Sequence, residues 1–152
     1  MKPSCLIIIL FASLKMAAQS DSIHYWLGLV GRSSVQPTMS YVPGFWVDSN
    51  CLKLIRAEES YKFPLLIEAL ECPDKTFAVH VILTTLLDTL NQRTTEIRPV
   101  NPSEPLKYEY NGVQWLPPGM AYNIDIASIP LLKKKWLAKL HASYPWFFEN
   151  PR

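Results

Sequence analysis

The chain has 152 residues, 49% hydrophobic and 12% aromatic but only 18% charged. That is too apolar for intrinsic disorder, and the length suits one compact domain with a real core. Its 15 basic and 13 acidic residues leave a formal charge of +2, which excludes a polybasic nucleic-acid protein and an acidic solvating tail.

Residues 1–18 differ from everything that follows. Lys2 provides a positive start, Cys5 to Leu14 form an apolar run, and Ala17-Ala18 precede the polar stretch QSDS. This pattern predicts a secretory signal peptide and an exported protein, periplasmic or secreted. The run is too short to span a bilayer, which takes roughly 20 residues. The alternative is a start at Met16 and a cytoplasmic chain. Cleavage after Ala18 removes Lys2 and Lys15 and leaves 13 basic against 13 acidic residues. It also removes Cys5, so that Cys51 and Cys72 remain as a pair, either one disulfide or two free thiols. One pair is no disulfide framework, which favours the thiols.

Residues 20–50 mix aromatics with turn residues. Gly28, Gly31, Pro37, Pro43 and Gly44 break the stretch, and it reads as irregular chain or short strands pinned by Tyr25, Trp26, Phe45 and Trp46. The middle, about residues 58–90, reads as a helix pair. Phe63, Leu66, Ile67 and Leu70 recur at helical spacing, with Pro64 in the first turn and Glu58 and Glu59 ahead of it. After the break ECPD, Asp74 is placed to cap a second helix running from near Lys75 to about Leu90, with its strongest stripe at Val79, Ile82, Leu83, Leu86 and Leu90. Its wide apolar arc requires cover from more than its partner helix.

Asn91 to Pro118 holds Pro99, Pro102, Pro105, Pro117 and Pro118 and cannot be one helix. Within it, KYEY-NG-VQW predicts a hairpin closed by Asn111-Gly112, and YNIDI at 122–126 alternates like a further strand. From Ile129 a helix is expected on the stripe Ile129, Leu132, Trp136 and Leu140, followed by a non-helical aromatic end after Pro145. The whole predicts one α+β domain over residues 19–152: a helix pair and a C-terminal helix packed with a short antiparallel hairpin or sheet, after an irregular N-terminal region.

The segment FPLLIEALECPDKTFAVHVILTTL, residues 63–86, resembles a single HEAT repeat of the bacterial kind. Pro64-Leu65-Leu66 and Ala69-Leu70 match the first helix of that family, and Pro73-Asp74 match its turn. Phe77 stands where Val is usual, Ala78 where Arg is common, and Val79-His80-Val81 are bulkier than the family pattern. The order of helix pair, hairpin and I-P-x-L-x-x-x-W helix is also similar to small bacterial HEAT-like proteins, a likeness that brings no activity with it. The resemblance implies a docking face on the helix pair. One copy cannot make a solenoid, which needs at least three.

No Walker loop, dinucleotide fingerprint, zinc-protease or nucleophile-elbow motif is present. His24, His80 and His141 share no metal spacing. Cys72 precedes a predicted helix start, where a thiolate is favoured. His80, however, lies about 9 Å further along the axis, out of reach as its base. Lys133-Lys134-Lys135 with Lys139 form the one local charge excess, and no acid lies between Ile126 and Phe148. Lys134, Lys135 and Lys139 are expected in water, and with Trp146 they make a candidate interaction surface, including weak contact with a membrane surface. Tyr108, Tyr110, Trp115 and Tyr122 are expected to cover the back of the sheet. These observations predict no catalytic residue, metal or cofactor. They favour a non-enzymatic interaction or structural module with a protein partner and no nucleic acid. The alternative is a small-ligand-binding protein or small hydrolase with a cleft between the helix pair and the aromatic hairpin.

Overall fold

A computed structural model describes residues 21–38, 44–58, 61–99, 101, 103–104, 106–115 and 128–149. The segments 1–18 and 122–126 discussed above lie outside the described residues. The architecture is α+β. Residues 21–29 are helical (α1). A 3-10 turn and the hairpin of β1 (Val35–Thr38) and β2 (Gly44–Val47) follow, then α2 (Ser49–Arg56), α3 (Lys62–Ala69) and α4 (Thr76–Leu87). After a second 3-10 turn come β3 (Thr94–Ile97), β4 (Lys107–Tyr110) and β5 (Val113–Trp115), and then α5 (Ile129–Ser143) and α6 (Trp146–Glu149). The strands form two antiparallel sheets, β1-β2 and β3-β4-β5.

Helix α1 replaces the irregular chain expected near residue 25. Ile23, Leu27 and Val30 are buried beside the half-buried Trp26. That is a helical stripe, and its burial outweighs the cost of Gly28, about 1 kcal/mol in a helix interior. Helix α2 was also unexpected. Asp48 caps it by accepting hydrogen bonds from the Asn50 and Cys51 amides at 2.9 and 2.8 Å, and Cys51 and Leu54 face the core. The aromatics of this region divide between inside and outside. Phe45 packs edge-on against Phe77 and Tyr110, with centroids 5.3 and 4.7 Å away, and so joins the first hairpin to α4 and the second sheet. Tyr25 and Trp46 are exposed.

Two lysines close helix ends. Lys75 Nζ donates to the Leu27 carbonyl of α1 at 2.7 Å. Lys62, only 4% exposed, donates to the carbonyls of Leu54, Ile55 and Ala57 at the end of α2. Both put a cation where the helix dipole is negative.

Helix α4 is the centre of the fold, packed against α2, α3, α5 and β1, with every residue from Thr76 to Thr84 buried. Leu83 is fully buried and Leu86 packs at the edge of the core. The helix stops at Leu87, earlier than the apolar pattern predicts, and Leu90 lies in a 3-10 turn, 90% exposed. Asp74 does not cap it. Lys75 holds the N-cap position without its side chain capping the helix, and the Asp74 carboxylate pairs with Arg32 at 2.8 Å. The first turn is steadied by the Thr76 hydroxyl, which donates to the Leu70 and Cys72 carbonyls.

The Asn111-Gly112 turn closes the β4–β5 hairpin with Tyr110 opposite Val113, as the sequence predicts. Both turn residues have positive φ, 48° and 84°, the geometry of a type I′ turn. The third strand of this sheet is β3, paired along β4 from Thr94↔Tyr110 to Ile97↔Lys107. Helix α5 spans the predicted residues and buries Ile129, Leu132, Trp136 and Leu140. A further short helix, α6, follows Pro145 where non-helical chain was expected. No helix among the described residues is long and apolar enough to cross a membrane.

Candidate functional site

The sequence places Lys134, Lys135 and Lys139 together in water, but the structure separates them. At 100° per residue, Lys135 and Lys139 lie on one flank of α5 and Lys134 on the opposite side. Lys134 is exposed. The half-buried Lys135 ammonium donates to the Asn111 backbone carbonyl and, at 2.6 Å, to its side-chain oxygen. It also sits 5.3 Å from the Trp136 ring centroid. Lys139 donates to Asp88 Oδ1 at 3.0 Å. The reason is topological: the hairpin turn and the end of α4 bring oxygen acceptors to that flank of α5, which local charge patterning does not reveal.

These contacts form one wall of a cleft of about 490 Å³ between the end of α4, the β3–β5 sheet and α5. Its charged lining consists of Arg93, Lys135 and Lys139 against Asp88 and Glu109, with Asn111 at the turn. Arg93 has no hydrogen-bond or ion-pair partner among the described residues. Burial, the largest influence on Asp88, raises its carboxyl pKa. Hydrogen bonds from Lys139 and Asn91 and the Lys139 charge outweigh burial and hold the group below its ordinary value. Burial lowers the pKa of the Lys135 ammonium, while Asp88 opposes that shift.

Beneath the cleft lies a hydrogen-bonded chain. Asn111 Nδ2 donates to the Thr84 hydroxyl at 3.0 Å, and that hydroxyl donates to the His80 carbonyl at 2.8 Å. The His80 ring is fully buried. Its Nε2–H donates to the Tyr110 carbonyl at 3.0 Å, and its Nδ1 accepts from the Trp136 indole at 3.1 Å. An indole nitrogen only donates and a carbonyl only accepts, so the partners fix the neutral tautomer. Burial drives the His80 pKa down to about 4. With both nitrogens engaged, His80 has no lone pair to offer Cys72 or a metal ion. Among the described residues no three His, Cys, Asp or Glu side chains group as a metal site would require.

Cys51 and Cys72 are free thiols. Cys51 is buried and donates weakly to the Ser34 carbonyl at 3.8 Å. Burial first, then the Asp48 charge, pushes its thiol up to about 12, which makes it a poor nucleophile. Cys72 is half-buried in the turn before α4. Trp146 is exposed on α6, edge-on to Tyr144 at 5.2 Å. Tyr110 is buried and Tyr108 half-buried against the core. Nothing is described for the Trp115 side chain or for Tyr122.

Asp88, Arg93 and Glu109 carry no local signal in the sequence, and Asn111 is marked there only as a turn residue. They come from the end of α4, the chain before β3 and the β4–β5 hairpin, which the fold brings together. Comparison with protein families, with curated proteins and with solved structures finds no match to this chain.

Proposed function

We propose that the chain is a non-enzymatic protein-interaction module whose recognition surface is the cation-rimmed cleft, and that its partner presents a short acidic segment. The observation carrying this reading is the convergence of Arg93, Lys135 and Lys139 on one cleft, with the Arg93 guanidinium unengaged among the described residues. A planar guanidinium is suited to grip a carboxylate in two places at once. The two ammonium groups are held in place by Asn111 and Asp88, so little side-chain entropy is lost on binding.

We read the α3–α4 pair as a single HEAT-like unit serving as scaffold. Helix α4 is enclosed on every side from Thr76 to Thr84, so the docking role passes to the cleft at its end. We also read the protein as exported, on the pattern of residues 1–18. A groove of about 360 Å³ supports the small-ligand alternative. It is lined by Phe45 of β2, Leu52 and Ile55 of α2, Val81 of α4 and Tyr110 of the aromatic hairpin. The hydrolase form of that alternative is disfavoured, because His80 and Cys51 are both committed to the core.

Fluorescence anisotropy with a panel of short Asp/Glu-rich peptides tests the cleft. Binding should weaken with salt and fall about tenfold, or about 1.4 kcal/mol, in Arg93→Gln. Binding indifferent to Arg93→Gln, or no binding to any acidic peptide at low salt, would overturn the proposal.

A further inference from the structure

We infer that the outer face of α5, continued by α6, is a seat for an anionic lipid surface, separate from the cleft. Opposite the buried stripe of α5 lie Leu131, Lys134, Leu137, Ala138, His141 and Ala142, all exposed. A helix that simply faces water carries polar residues there. This one carries Leu131 at 71% exposure and a half-turned Leu137, with Lys134 as its one formal charge. The strip runs about 17 Å from Leu131 to Ala142 at 1.5 Å per residue.

Helix α6 lengthens the strip. The Phe148 ring lies 5.1 Å from the His141 ring, which brings it to the same face, and Trp146 is exposed at the same end. Leucine and aromatic side chains beside a lysine are the composition of an interfacial helix, in which rings sit at headgroup level and the ammonium meets phosphate. Charge chooses the lipid. No acid lies between Ile126 and Phe148 to repel anionic headgroups, and Glu149, the last residue of α6, is the first acid after that stretch. Lys133 and Lys139 are neutralised by Glu71 and Asp88 on the inner flanks, which leaves the exposed Lys134 for the surface. One exposed lysine with no acidic partner among the described residues, beside a few apolar groups, predicts weak, reversible attachment.

The test is co-sedimentation of the full chain with vesicles of phosphatidylcholine and phosphatidylglycerol in equal parts, against phosphatidylcholine alone, at low salt. Binding to the mixed vesicles, release by salt and little binding to the neutral ones are expected. Leu131→Glu with Lys134→Glu should lower partitioning at least tenfold while leaving thermal unfolding unchanged, since both side chains are exposed. Arg93→Gln should leave partitioning unchanged, which separates this face from the cleft. Equal binding to both vesicle types, absence of binding, or loss of binding in Arg93→Gln would overturn the inference. So would a wild-type dimer in analytical ultracentrifugation that the double variant dissolves, because the face would then seat a second copy of the chain.

Discussion

The indole Nε1–H of Trp136 donates to Nδ1 of His80 at 3.1 Å, across an interface where both side chains are fully buried. Through the other ring nitrogen the same histidine holds the Tyr110 carbonyl. One imidazole thus ties α4 to α5 and to the hairpin. The first expectation concerns this link. Trp136→Phe keeps an aromatic ring but removes the donor, leaving Nδ1 unsatisfied in the core. Such a loss costs about 1–3 kcal/mol, plus the smaller ring's lost contacts. Urea denaturation followed by circular dichroism measures it, and an unchanged midpoint would show that the bond contributes nothing.

Acid should loosen the protein through the same residue. The folded pKa of about 4 lies below the ordinary 6.5, so the unfolded chain binds a proton that the folded one refuses. His80's contribution is complete above pH about 6.5 and is lost progressively as pH falls toward 4, amounting to roughly 3 kcal/mol. Asp48 and Asp88 are both held below 3.8, so their contributions are lost at lower pH. Denaturation midpoints across the window should therefore fall with pH. The fall should flatten in His80→Gln, whose amide can serve the same two partners without titrating.

Much of this link was legible in the sequence. The stripe ending in Trp136 and Leu140 gives α5 its bounds, and Asn111-Gly112 gives the hairpin its register. What failed to show was the join. His80 interrupts an apolar helix and reads as an edge residue until two distant elements supply its partners. Helix α1 was hidden by Gly28 and Gly31, although Ile23, Trp26, Leu27 and Val30 keep helical spacing. Helix α2 was hidden by shortness, although Asp48 ahead of Cys51 and Leu54 is an ordinary cap and stripe. In both places burial outweighs the local breaking tendency of glycine and proline, and burial depends on distant parts of the chain.

Lys62 carries a stability effect that charge patterning alone would place on the surface. Its ammonium serves three carbonyls at the end of α2 from a nearly enclosed position. Lys62→Met retains the stem and removes the donors, exposing those carbonyls to an apolar wall. A loss of about 1–3 kcal/mol is expected from the unsatisfied acceptors and the helix dipole. Differential scanning calorimetry reads this directly, and an unchanged Tm would mean that the carbonyls find other partners.

The lysines of α5 should differ in stability as they differ in place. Lys134 is exposed and touches no acid among the described residues, so Lys134→Gln should change stability by less than about 0.5 kcal/mol. Lys139 reaches Asp88, a residue only 6% exposed whose Oδ1 also accepts from Asn91 at 2.9 Å. In Lys139→Gln that carboxylate loses its counter-charge just beneath the surface. The variant should be destabilised by about 1–3 kcal/mol, with salt recovering little because the partner is sheltered. Lys135→Gln should fall between the two, since an amide can still donate to Asn111 at the Gly112 turn. Parallel urea titrations of the three single variants give the ranking. If all three matched wild type, the cleft-facing lysines would be solvated like Lys134, and the ordered rim on which acidic-segment recognition depends would be lost with them.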